Sequence, residues 1–213
     1  MTLSNCKKCK RLAGFLKEVK TKYPDYFYQP VPDFGDPNAR LIVLGLAPGL
    51  HGANATGRPF TGDHAGLLLY QTLHKFGFAS APKSIDIDDG LALINCRIIN
   101  AVKCLPPQNK PTTEEAKTCT EQYLKHDLQA LPKGAIILAL GSIAHNAVLR
   151  TFSMKLSAFK FGHNVLHDLG NGYLLLDSYH CSRYNTQTKR LTESMFHDVF
   201  ERAKELLANQ NNE

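Results

Sequence analysis

Asp63 sits three residues beyond the aromatic Phe60 at the end of a glycine-rich stretch, "GLAPGLHGANATGRPFTGDHAG", residues 45 to 66. Glycine here serves a tight turn or lets the backbone come close to a ligand. The stretch has neither the G-x-G-x-x-G spacing of a dinucleotide fingerprint nor the G-K-[ST] ending of a P-loop, so those two kinds of phosphate cradle are excluded. What remains suits chemistry on a base turned out of its stack. Phe60 offers a face for a planar base, and Asn100 an amide for its polar edge. A histidine in "DSYHCSRYNTQTKRLT" offers a donor to an oxygen that becomes negative. Asp63 is suited to orient water toward a sugar carbon whose transition state resembles an oxocarbenium ion. Arg183, Lys189 and Arg190 are suited to hold phosphates without reading sequence. Each also has a plain reading: Phe60 as core, Asn100 as a strand-end cap, the basic run as a solvated helix start. His51, His64, His145 and His163 show no distinguishing pattern and read as surface or packing residues.

The six cysteines make a second group. No apolar stretch approaches the roughly 18 residues of a spanning helix. The N-terminal "MTLSNCKKCKRLAGF" lacks the apolar core of a secretory signal, so a cytoplasmic location without membrane association is expected. In a reducing compartment, clustered cysteines point to metal or redox chemistry rather than disulfides. Cys6 and Cys9 form a C-x2-C pair beside lysines that favour thiolates; Cys104 and Cys119 bracket "CLPPQNKPTTEEAKTC". Together they supply four ligands, enough for a tetrahedral zinc or a four-iron cluster, and four unligated thiols is the alternative. Such a site would pin the N-terminal segment to the body of the domain. Cys96, within an apolar run, reads as core.

These residues need a frame. The runs 40–46, 92–104, 135–140 and 173–178 are nearly continuous in apolar residues, as strands buried on both faces are. Helical patterns fall at 65–76, 112–130, 142–152 and 190–208, with Thr112 or Thr113 and the nearby acids as a start signal for the second. This alternation predicts a three-layer α/β/α fold on a central, mainly parallel four-stranded sheet, as one domain over residues 1–213. Ligands of such a sheet bind beyond the C-terminal ends of its strands, where the glycine-rich stretch, Asn100 and the histidine-bearing segment all arrive. Lys and Arg number 25 against 19 Asp and Glu, a net +6 that suits a polyanionic partner without requiring one.

With the C-x2-C at the front, "GLAPGLHGANATGRPFTGDHAG", "NAVKCLPPQNKPTTEEAKTC" and "YHCSRYNTQTKRLT" together resemble the uracil-DNA glycosylase superfamily over nearly the whole chain, Cys6 to about Thr192. More narrowly they resemble its iron-sulfur members of the fifth family, the broad-specificity type b enzymes. The fourth family carries G-E-A-P-G at the first motif, where Leu46 stands here, and lacks the acid of "FTGD", which here is Asp63. The resemblance implies a monofunctional glycosylase that hydrolyses the bond between deoxyribose and uracil, hypoxanthine or xanthine, leaving an abasic site. It implies a [4Fe-4S] cluster on Cys6, Cys9, Cys104 and Cys119, with zinc as the alternative. Phe60, Asn100, Gly45 and Ala47 become the base-binding residues, Asp63 the water-activating acid and His180 the donor to the departing base. Arg58, Ser182, Arg183, Tyr184, Asn185, Lys189 and Arg190 become the contacts to DNA, duplex or single-stranded, with Arg183 or Tyr184 as the wedge behind the extruded base. The expected assembly is a monomer. The last motif of the family reads H-P-S, and here Cys181 replaces the proline, which predicts a looser turn after His180. A zinc-stabilised, non-catalytic DNA-binding module is the rival reading of the same charge and cysteines.

Overall fold

The computed structural model describes residues 2–170 and 172–210. Six strands, β1 (Phe34–Gly35), β2 (Leu41–Gly45), β3 (Cys96–Asn100), β4 (Ile136–Leu140), β5 (Leu166–Asp168) and β6 (Leu174–Ser178), form one sheet in the order β1-β3-β2-β4-β6-β5. The four expected strands are its parallel centre, β3-β2-β4-β6. The expectation of four strands is corrected to six, because β1 and β5 pair antiparallel with β3 and β6 at the two edges. Both are too short, and too incompletely buried, to show a period in the sequence.

The central strands are apolar throughout because each face is covered. Along β2, Leu41 and Val43 point into one core and Ile42 and Leu44 into the other, and all four are fully buried. Helices α3 (His64–Lys75) and α8 (Glu193–Asn209) cover the first face through Leu69, Leu73, Phe196 and Phe200. The second face is covered by α6 (Ser142–Thr151) and by a long helical segment. That segment is α4 (Thr113–Cys119), a π-helical turn at Thr120–Leu124 and α5 (Lys125–Gln129). Thr112 and Glu115 close a reciprocal capping box at its start, as the sequence suggested.

Three further α-helices lie among the described residues, α1 (Lys10–Lys22), α2 (Ala53–Thr56) and α7 (Arg183–Gln187), beside short 3-10 turns. The sequence reading did not draw α1, although its buried Leu12, Leu16 and Val19 follow helical spacing. Arg11 of α1 makes a two-pronged contact with Glu115 of α4, Nε and Nη2 donating over 2.8 and 2.6 Å. Among the described residues no helix is long and apolar enough to cross a membrane.

Candidate active site

The C-terminal ends of β2 and β3 and the segment after β6 open on one cavity of about 250 Å³, and Phe60, Asp63, Asn100 and His180 all line it with Ala47. Parallel pairing sets this up, because Gly45 at the end of β2 stands opposite Asn100 at the end of β3. A side chain at position 45 would begin 2.6 Å from Asn100 Oδ1 and 2.7 Å from Phe60 Cζ, so only glycine lets ring and amide close in together. Gly45 therefore shapes the pocket through its bareness. Phe60 is buried and held at φ 54°, a left-handed conformation that a bulky residue adopts only when its surroundings enforce it. Its ring faces that of His180, centroids 6.0 Å apart and planes 29° apart.

Asn100 is 3% exposed, and its Oδ1 has no hydrogen-bond partner. A buried acceptor left unpaired costs about 1–3 kcal/mol, so this oxygen is poised for a donor from outside the protein. Asp63 is the N-cap of α3, and Gly66 N–H donates to its Oδ1 over 2.8 Å. The other oxygen, Oδ2, lies where a Cβ on Gly52 would meet it at 2.6 Å. Burial pushes the Asp63 carboxyl above its ordinary value, and the amides of Gly66 and Ala65 hold that rise in check. Desolvation drives His180 down to about 4, so its imidazole is neutral at pH 7 and works as an N–H donor. Asn109 also lines the cavity, at φ 56° on the loop after Cys104. The sequence reading missed it; the only signal was an asparagine beside a turn.

The segment after His180 forms α7. Arg183 and Tyr184 are exposed there, Tyr184 to 70%, and Lys189 and Arg190 are exposed beyond it, the Arg190 guanidinium over the Tyr179 ring at 4.8 Å. Ser182 and Asn185 instead spend polar groups inside the protein. Ser182 Oγ caps α7, and Asn185 Nδ2 donates to His180 O over 2.8 Å. This bond fixes the turn that lacks the expected proline, so the turn is tied by a side chain where a ring would have stiffened it. Cys181 is fully buried beside Asp63, and burial with that carboxylate keeps its thiol protonated. The expectation for Arg58 is corrected. It is 3% exposed, with Nη1 donating to Asp89 Oδ1 (2.7 Å) and Ser84 Oγ (2.9 Å) and Nη2 to Ile87 O (2.8 Å), so it is a buried anchor and not a DNA contact.

Cys6, Cys9, Cys104 and Cys119 line one cavity between α1 and α4, with Leu12, Val102 and Tyr123, and none forms a disulfide. Burial raises the Cys104 thiol to about 12 and Cys119 to about 11, with neighbouring cysteines adding to both, and it raises Cys9. Four converging thiols, of which Cys9, Cys104 and Cys119 resist ionising by themselves, fit a cationic, thiolate-ligated group, whose charge would stabilise what the cavity opposes. Lys103 N–H already points at Cys119 Sγ, 3.3 Å away. His145, His167 and Asp177 also converge, but His145 has no free ring nitrogen: Nδ1 meets Asp177 Oδ1 at 2.8 Å and Nε2 meets Phe159 O at 3.0 Å. These three form a hydrogen-bond network that joins α6, β5 and β6.

Residues 32–204 match the family model described as the uracil DNA glycosylase superfamily. The chain is similar to the type-5 uracil-DNA glycosylase of Thermus thermophilus, 46% identical over 96% of this chain and 95% of that one. It is 41% identical to the type-5 uracil-DNA glycosylase of Mycobacterium bovis, over 96% of this chain and 79% of the relative. To that of Pyrobaculum aerophilum it is 40% identical, over 94% and 88%.

Proposed function

The chain belongs to the uracil-DNA glycosylase superfamily and, within it, to the type-5 uracil-DNA glycosylases, and from that premise we propose how its pocket acts and on which bases. It is a hydrolase of N-glycosyl bonds that excises uracil from DNA. The extruded base stacks on Phe60, and its ring N–H donates to Asn100 Oδ1. Asp63, ionised, takes a proton from a water that attacks the sugar C1′. The bond from C1′ to the base breaks with its electron pair on the base. Neutral His180 donates to the carbonyl oxygen that carries the resulting charge. Among the described residues that line the pocket none is a lysine, and Asp63 stands there to activate water, which supports hydrolysis without a covalent sugar adduct.

The unpartnered Asn100 oxygen is the observation that carries this reading. Deamination turns a ring nitrogen that accepts into an N–H that donates. Uracil, hypoxanthine and xanthine share that N–H beside a carbonyl, whereas cytosine and adenine present a lone pair. An acceptor fixed beside Phe60 therefore favours uracil, hypoxanthine and xanthine over cytosine and adenine; thymine and guanine also carry an N–H beside a carbonyl, so their rejection falls to the shape of the pocket around the ring. The test is single-turnover release from duplexes that carry each of the three, read as alkali-labile breaks. We expect breaks with all three; breaks with uracil alone would overturn the broad specificity, and trapping of a protein–DNA adduct by borohydride would overturn simple hydrolysis.

Cys6, Cys9, Cys104 and Cys119 would hold a [4Fe-4S] cluster. When bound, it supplies a structural cross-link and no step of the reaction. The exposed cations after His180, Arg183, Lys189 and Arg190, contact the phosphates of DNA, and Tyr184 stands at the outer end of α7 as the wedge.

A further inference from the structure

Beside the base pocket lies a second cavity of about 330 Å³ that the mechanism does not use. Phe60 and Asp63 line both, so the second space begins where the first ends. Its lining includes Lys83 and Arg183, a hundred residues apart in sequence, and neither has an ion-pair or hydrogen-bond partner for its charge among the described residues. Asp63 lines the cavity too, but its carboxylate is turned to the start of α3, where it accepts the Gly66 N–H, so Lys83 and Arg183 carry the attraction for an anion. Asp86 and Asp88, on the same loop as Lys83, do not line the cavity. Asp89, the third acid, is neutralised by buried Arg58.

The loop that follows Lys83 is fixed in place, while the lysine itself is exposed. Arg58 ties Ser84, Ile87 and Asp89 to the segment that bears Phe60, and Thr61 Oγ1 lies 2.7 Å from Ser84 Oγ. Ile85 and Leu91 N–H groups close on Asp89 as well. The loop thus presents the root of its lysine in a set relation to the stacking ring, with little ordering of the loop left to do on binding.

We infer that this cavity is a phosphodiester subsite in which Lys83 and Arg183 hold the backbone phosphate next to the nucleotide whose base lies on Phe60. A strand with its base on Phe60 and its sugar at Asp63 continues past the wall that the two cavities share, into the space that Lys83 and Arg183 line. This rests on the proposed binding of an extruded base, and it adds Lys83, together with the loop that carries it, to the DNA-contacting parts.

The test measures affinity by fluorescence anisotropy over a series of salt concentrations. It uses the full-length, cluster-loaded protein and a duplex containing 2′-fluoro-deoxyuridine, which resists hydrolysis. Each phosphate contact contributes about 0.9 to the slope of log K against log salt, so Lys83→Gln lowers that slope by about one. Lys133→Gln, at the opposite edge of the sheet, leaves it unchanged. In a second arm, one linkage beside the fluoro-deoxyuridine is replaced by an uncharged methylphosphonate, on each side in turn. One of these weakens the wild-type protein and does not weaken Lys83→Gln further. A wild-type slope in Lys83→Gln, or full additivity of the variant with both methylphosphonates, overturns the subsite. Failure of the wild-type protein to release uracil from an ordinary duplex would instead overturn the base-binding reading on which it stands.

Discussion

Asp63 does two things with one carboxyl group, and substitution separates them. Oδ1 caps α3 while Oδ2 faces the space cleared by Gly52. Asparagine caps a helix well, so Asp63→Asn keeps the melting temperature near wild type while excision falls about 10²–10⁴-fold; Asp63→Ala loses a further ~1 kcal/mol of stability with its cap. Thermal melts and single-turnover assays on both variants check this. The two titratable groups also predict a pH profile. Activity needs ionised Asp63, whose folded value lies above the ordinary one, so the rate rises with pH through that raised value. His180, at about 4, stays neutral from pH 5 to 8 and gives no inflection near 6.5. Its linkage to folding runs in the same direction as the rate: between 6.5 and about 4 the unfolded chain binds a proton that the folded one refuses, so stability declines as pH falls through that window. Removal of the donor in His180→Ala lowers excision about 10²–10³-fold, and an acid limb near 6.5 that this variant abolished would contradict the neutral imidazole. That Phe60, Asp63, Asn100 and His180 meet at one pocket was legible because each stands in a motif at the C-terminal ends of the strands. Asn109 was not, since only the fold turns that loop toward the base. Arg58 was misread because its partner Asp89 lies 31 positions away, and no local pattern couples them.

The four central strands could be read directly, since burial on both faces demands unbroken apolar runs and β2 and β4 are buried at every position. Edge strands β1 and β5 could not, because an element of two or three half-exposed residues is specified by its neighbour more than by its own sequence. The π-helical turn at Thr120–Leu124 was equally hidden inside an ordinary helical pattern. Helix α1 is the element that the proposed cluster would steady most: it enters directly after Cys9 and packs Leu12 against Val102 and Cys119. Oxidative removal of the cluster should bleach the broad absorption near about 400 nm typical of cysteine-ligated iron clusters and release α1 first. By hydrogen exchange, amides of residues 12–22 lose protection at that point while those of β2 and β4 keep theirs. Simultaneous loss across the sheet would mean that the cluster supports the whole fold and not one strap.

At the scale of the molecule, a net charge of +6 draws the protein to DNA of any sequence, and the sheet decides what happens on arrival. Phosphate contacts of that kind make binding to undamaged duplex fall steeply with salt, whereas the rate of base release at saturating protein should barely change between 50 and 200 mM, a contrast that titration and single-turnover kinetics can check. Parallel pairing collects residues near 45, 60, 100 and 180 at one edge of the sheet. That collection has a consequence for the chain while it is being made. A nascent polypeptide that has emerged as far as residue 170 already contains the four cysteines, Asp63, Phe60 and Asn100, yet it lacks β6, the seat of His180 and all of α7. It can be basic and cling to nucleic acid, but it has no closed pocket in which to cut a base loose. The ability to damage DNA by leaving abasic sites is therefore withheld until the stretch from β6 through α7 has followed the rest.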